Sequence, residues 1–320
     1  RQGLEGEIGR PLTLVVVDEA HNIQGKHRGL KLELLLATIN NECQRAQFLL
    51  LTPFIRNARE VARWLGGQNS DDISLSLDWQ PNDRVIGIVQ AKQGEALGQR
   101  SFDYSLQLET VHTTRNTLVA DEYITLPKKN DIASTFNKVS NQSSLAAVTA
   151  QRLQGRGPVI VMHTRPDWVW TLAGKLKIEA NRRQNLTEHV ELVQQFLELE
   201  FGTGFPLINL LSYGVGVHHS GLSEDVRALM EWLFEENELK FLVATTTIAQ
   251  GVNFPVTSVV MASHQYPYGQ DMPPEDFWNI AGRVGRIGQS SLGIVALVAD
   301  SNSKATMLRA FINRNSGDLN

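Results

Sequence analysis

Six short apolar runs, rich in β-branched residues, constrain this chain more than any other feature of its sequence. They occupy residues 12–17, 48–52, 159–162, 241–245, 258–261 and 293–298. A nearly continuous apolar run of this length reads as a strand buried on both faces, the form strands take in parallel sheets. Helical patterns lie between many of them. The clearest spans residues 223–234, with Ser223 as an N-cap and Glu224 and Asp225 in the first turn. Val226, Leu229, Met230, Leu233 and Phe234 make its single apolar stripe. A second covers residues 56–65 and is stopped by Gly66-Gly67. This alternation predicts an α/β fold with helices on both faces of a mainly parallel sheet.

A length of 320 residues suggests two domains, each able to bury a core. The formal net charge of -4 excludes a uniformly basic protein that coats nucleic acid, but leaves room for a local groove. Cys43 is the single cysteine, which excludes an internal disulfide and a cysteine-rich zinc site. No apolar run is long enough to span a bilayer and the start carries no signal-peptide pattern, so no membrane and a cytoplasmic location are expected. The first ten residues are polar, lack an initiator methionine and lead straight into a strand, which reads as the middle of a domain. Residues 68–83, rich in Gln, Asn, Asp and Ser, read as a linker. Residues 84–89 and the alternating stretch 101–108 are candidate strands, and the polar stretch 128–144 is a loop or a helix start.

Several strings carry chemistry. Val15-Val16-Val17-Asp18-Glu19-Ala20-His21 places two carboxylates at the carboxyl end of a strand, where open α/β sheets bind ligands. Aspartate there suits Mg²⁺, usually through water, and the adjacent glutamate can activate a water that attacks phosphate. A strand followed by an acidic helix cap gives the same letters. A second string, residues 241–255, brings Thr245, Thr246 and Thr247 to a strand end, followed by Gly251 and Asn253. Such hydroxyls suit a nucleic-acid backbone, though a plain strand with a capped helix also fits. Gly214 to Leu222 includes His218 and His219, whose adjacency favours structural or backbone-contacting roles over a shared metal. Residues 159–165 form a strand that ends in His163, Thr164 and Arg165. Finally, residues 279–286, read as a helix, put Asn279, Arg283 and Arg286 on one face. Gly282 and Gly285 there permit a close approach, and paired guanidiniums suit phosphate oxygens, while two solvated arginines are the plain alternative. Gly25-Lys26 and Gly174-Lys175 lack the earlier glycine and the following Ser/Thr of G-x-x-x-x-G-K-[ST], and the sequence contains no such loop.

In this order the strings resemble superfamily-two helicases, most closely the Ski-like DExH group. Asp18-Glu19-Ala20-His21 is similar to motif II, residues 51–58 to motif III with its helix, and residues 161–165 to motif IV. Asp78-Trp79-Gln80-Pro81 resembles that group's Asp-Trp-Arg-Pro signature, and residues 218–222 its His-His-(Ala/Ser)-Gly-Leu segment. Residues 245–255 are similar to motif V and 279–286 to motif VI. The resemblance covers the chain except residues 86–150. It implies two RecA-like domains with mainly parallel sheets. The first, residues 1–80, is truncated at its N-terminal side; the second, residues 81–320, carries an insertion around 86–150.

The same resemblance implies an ATP-dependent helicase or translocase, with ATP and Mg²⁺ as cofactors and single-stranded DNA or RNA as partner. A partner protein in a larger complex is a further expectation. Asp18 would hold Mg²⁺ through water, Glu19 would activate the attacking water, and Arg283 and Arg286 would act as arginine fingers on the γ-phosphate. Gly251, Asn253 and Asn279 would line the nucleotide. Thr164, Arg165, His219, Gly221, Thr245 and Thr246 would contact the strand, and His21 and Thr52 would couple ATP state to domain closure. Thr52-Pro53-Phe54 stands where the family has Ser-Ala-Thr, and Asn279 where it has Gln. With no phosphate-binding loop, the 320 residues alone are expected to hydrolyse ATP hardly at all. The altered motif III and the missing loop also fit a rival, a non-hydrolysing RecA-like scaffold that binds nucleic acid.

Overall fold

The computed structural model describes residues 10–18, 20, 23, 28–51, 58–66, 83–98, 101–114, 123–127, 139–179, 182–249, 256–285 and 292–313. The chain divides into two compact units, with the break between residues 79 and 80.

In the first unit, strands β1 (Leu14–Val17) and β2 (Gln47–Leu50) pair in parallel, Leu14 opposite Gln47 and Val17 opposite Leu50. Helix α1 (Arg28–Glu42) joins them, and α2 (Ala58–Gly66) packs on β2 and α1. Ala20, Leu36, Ile39, Cys43 and Leu65 are the buried hydrophobic residues among those described in this unit, while Leu14, Val16 and Leu49 stay about half exposed. Parallel strands are ordinarily covered on both faces.

The second unit is built on an eight-stranded sheet. Its strands are β3 (Arg84–Gly98), β4 (Ser101–Thr113), β5 (Tyr123–Thr125), β6 (Val159–Met162), β7 (Val215–His218), β8 (Phe241–Ala244), β9 (Ser258–Met261) and β10 (Gly293–Val298). The spatial order is β5-β4-β3-β10-β9-β6-β8-β7. From β3 to β7 every pairing is parallel, and β4 and β5 extend the sheet antiparallel. Every residue of β6, β8, β9 and β10 is buried, which explains why, Ser258 apart, their sequences carry no polar side chain. β3 runs well past the expected 84–89: beyond Val89 it leaves β10 and pairs with β4 alone as a two-stranded ribbon. The region around 86–150 therefore holds the sheet's antiparallel extension and a helix.

That helix is α3 (Gln142–Leu153), opened by Asn141, whose side chain accepts from Ser144 N at 3.0 Å. It is buried from Ser143 to Leu153, with Ala146, Ala147 and Ala150 among its small residues. Next come α4 (Pro166–Glu179), α5 (Glu188–Phe201), α6 (Pro206–Leu211) and α7 (Glu224–Glu235). α7 forms as its sequence predicts: Ser223 Oγ accepts from Val226 N, and Val226, Met230, Leu233 and Phe234 are buried. α8 (Pro274–Gly282) and α9 (Asn302–Ile312) complete the layers. Arg309 on α9 forks onto the buried Glu109 of β4, with Nε to Oε1 and Nη2 to Oε2 both at 2.8 Å.

The helix expected over residues 279–286 is shorter. α8 ends at Gly282, Arg283 is its C-cap at φ -85° and ψ -10°, and Gly285 turns left-handed at φ 78°. A Cβ on Gly285 would stand 2.9 Å from Asp83 O and 3.1 Å from Gly293 N. This glycine thus serves a turn and a backbone crossing, not a helix interior.

Candidate functional site

The carboxyl ends of β6, β8 and β7 lie side by side and level. Met162 and His218 both pair with Ala244, His163 N–H donates to Ala244 O at 3.0 Å, and Thr245 N–H donates to His218 O at 3.1 Å. Thr164, Thr245 and His219 thus follow three adjacent strands by one or two residues, spread over about 10 Å at ordinary strand spacing. The sequence strings that contain them are far apart in the chain. The sheet brings them to one edge.

His219 is the best-defined donor on that edge. Its Nδ1 accepts from Gly221 N at 3.0 Å, so the neutral ring carries its proton on Nε2. That nitrogen is buried and has no hydrogen-bond partner among the described residues. Burial, with the neighbouring His218, pushes the His219 pKa down and keeps the ring neutral. A Cβ on Gly221 would come within 3.0 Å of the ring, which fits glycine at this position. His218 is engaged elsewhere, with Nε2 2.7 Å from Glu231 Oε1 on α7. The two imidazoles serve different partners, and among the described residues no His, Cys, Asp or Glu cluster could hold a metal.

The hydroxyls are arranged around Tyr266. Thr245 Oγ1 shares a hydrogen bond with Thr247 Oγ1 at 3.0 Å, and Tyr266 Oη lies 3.2 Å from Thr246 Oγ1 and 3.3 Å from Asp276 Oδ2. Burial raises the Tyr266 pKa, so the phenol keeps its proton. Thr164 is buried and its hydroxyl donates to Gln265 O. Its hydrogen ties the end of β6 to the turn after β9. Arg165 is exposed and already forked onto Asp167, with Nε to Oδ1 at 3.1 Å and Nη2 to Oδ2 at 2.6 Å. The guanidinium holds the Asp167 carboxyl below its ordinary range. Neither Tyr266 nor Asp167 stands out in the sequence, because nothing in the spacing ties them to Thr246 or Arg165.

Asn279 and Arg283 remain one helical turn apart on α8, since Arg283 keeps right-handed helical angles as C-cap. Beyond it Val284 bridges in parallel to Val256, and Gly285 N–H donates to Val256 O at 3.0 Å. Buried Arg84 sends Nη1 to Ala281 O at 2.7 Å and so closes the end of the helix. Arg286, Gly251 and Asn253 lie outside the described residues.

In the first unit Asp18 follows β1 directly and is exposed at the carboxyl edge of its two-stranded sheet. Leu51 N–H donates to Val17 O at 2.8 Å and Ala20 N–H to Leu51 O at 2.9 Å, which fixes the backbone around it. A single exposed carboxylate suits a hydrated Mg²⁺ held through water. Glu19, His21 and Thr52 lie outside the described residues.

Residues 180–288 match the helicase conserved C-terminal domain. They begin just after α4 and take in α5, α6, β7, α7, β8, β9 and α8. The chain is also 27% identical over 306 residues to the Hachiman protein HamB of Bacillus cereus, covering 91% of this chain and 26% of that protein. By its description the matched domain is a helicase part, and it is matched over less than half of this chain. The ATP-dependent DNA helicase Hel308 of Pyrobaculum calidifontis is 29% identical over 301 residues, covering 92% of this chain and 37% of its own length. DNA polymerase theta of Drosophila melanogaster is 28% identical over 306 residues, 90% of this chain and 13% of that protein. The chain therefore spans well under half of each of these relatives. The mixed α/β fold with its mostly parallel sheet agrees with a RecA-like helicase C-terminal domain.

Proposed function

We propose that this chain is part of the motor of an ATP-dependent helicase or translocase of the Ski-like DExH group, moving on single-stranded nucleic acid. The observation that carries the reading is the level carboxyl edge of β6, β8 and β7. It sets the buried His219 N–H, which has no partner among the described residues, beside a row of threonine hydroxyls, groups of the kind that bind phosphate and sugar without reading bases. The names of the relatives favour a motor over a non-hydrolysing scaffold.

Bound Mg²⁺-ATP supplies the γ-phosphoryl group and a cation that neutralises its charge. Asp18 would hold the ion through water, and Glu19, next in sequence, would orient and deprotonate the attacking water. Arg283 and Arg286 would balance charge growing on the γ-phosphate, with Gly251, Asn253 and Asn279 lining the nucleotide. His21 and Thr52, next in sequence to Ala20 and Leu51, would couple ATP state to domain closure. Without a phosphate-binding loop, the 320 residues alone would turn ATP over hardly at all.

Strand binding is the direct test. Affinity for a single-stranded oligonucleotide should fall with salt and vary little with base sequence. His219→Ala should weaken it about tenfold, the scale of one hydrogen bond to a charged group. An unchanged affinity in that variant would remove the edge from the interface.

A further inference from the structure

We propose that Trp168, backed by His163, is a stacking platform for one nucleobase of the bound strand. The inference rests on the strand-binding reading above and adds a base contact to what is otherwise a backbone grip. The two rings are stacked, with centroids 5.7 Å apart and planes 12° from parallel. His163 follows β6 directly and Trp168 lies in the first turn of α4, so the pair stands at the same carboxyl edge as Thr164, Thr245 and His219.

The platform is held in place from behind. His163 N–H is tied to Ala244 O, and its Nδ1 accepts from Arg165 N at 3.2 Å. Burial keeps this imidazole neutral, so it backs the indole as a flat uncharged ring. Trp170, two residues on, turns instead to meet His219 edge-on at 5.8 Å. Trp168 itself remains 40% exposed. An aromatic ring fixed by its backing and open to solvent suits base stacking, because its freedom is already restricted before the base arrives. Its exposed neighbours Arg165, Asp167 and Thr171 are polar, which fits the charged flank of a nucleotide better than the apolar centre of a protein interface. Every base has a π-face, so the contact would carry little sequence preference.

The test compares a thymidine oligonucleotide with an abasic strand of equal length, both binding the full 320-residue chain. Wild type should prefer the strand with bases about tenfold, and Trp168→Ala should lose most of that preference. Trp168→Phe should keep most of the preference yet lose the tryptophan quenching that base stacking causes in wild type. Full preference in Trp168→Ala, or undiminished quenching in Trp168→Phe, overturns the platform while strand binding stands. Failure of wild type to bind either strand overturns both.

Discussion

Burial in the turn after β6 holds the His163 imidazole far below its ordinary value of 6.5, at about 4, with Asp167 opposing the shift and Arg165 adding to it. In the unfolded chain the same ring takes up a proton near pH 6.5. Its contribution to stability is therefore complete above that value and is lost as pH falls from 6.5 toward 4. Melting temperatures between pH 7.5 and 4.5 should drop more steeply for wild type than for His163→Phe, which keeps a ring against Trp168 and cannot be protonated. Parallel curves would contradict the assignment. The Arg165–Asp167 pair makes a second residue-level case. Both side chains are about half exposed, so the pair stabilises the fold little, but it occupies a cation that lies just past the end of β6. Asp167→Asn should free Arg165 for phosphate, raise strand affinity several-fold and steepen its log–log salt dependence by roughly 0.7. An unchanged slope would show that Arg165 does not reach the strand.

At the scale of elements, periodicity and burial decide what could be read in advance. The six apolar runs all hold strands: the four in the second unit are buried on both faces and so almost wholly apolar, while β1 and β2 are as apolar yet leave Leu14, Val16 and Leu49 about half exposed. β7 is harder to see, since Gly216 and His218 break its four residues. The 15 residues of β3 are harder still, because half of its ribbon is exposed and polar. α3 carries Ser143, Thr149, Gln151 and Arg152 into the interior and so shows no stripe at all. The end of α8 misled for the opposite reason: the spacing of Asn279, Arg283 and Arg286 is helical, but Gly285 is committed to the crossing with Asp83 and Gly293. Gly285→Ala should accordingly destabilise the second unit by about 1–3 kcal/mol in denaturant unfolding, from positive φ and the backbone clash together. A neutral effect would argue that the segment shifts freely.

For the whole molecule, the order of the strings along the chain said more about function than composition did. A net charge of -4 gives no hint of the proposed strand-binding edge, which would work through neutral hydroxyls, an imidazole N–H and backbone turns. What sequence could not supply was the juxtaposition: Thr164, His219 and Thr245 lie up to 81 residues apart and meet only because β6, β8 and β7 are neighbours. Nor could it show that Thr164 and Arg165 already have intramolecular partners. The most direct test of the motor is strand-stimulated ATP hydrolysis by the whole protein carrying this chain, wild type against Glu19→Gln. Hydrolysis should rise when single-stranded nucleic acid is added to wild type. In the variant it should fall about a hundredfold or more, with strand affinity unchanged. Turnover in Glu19→Gln equal to wild type would contradict the account.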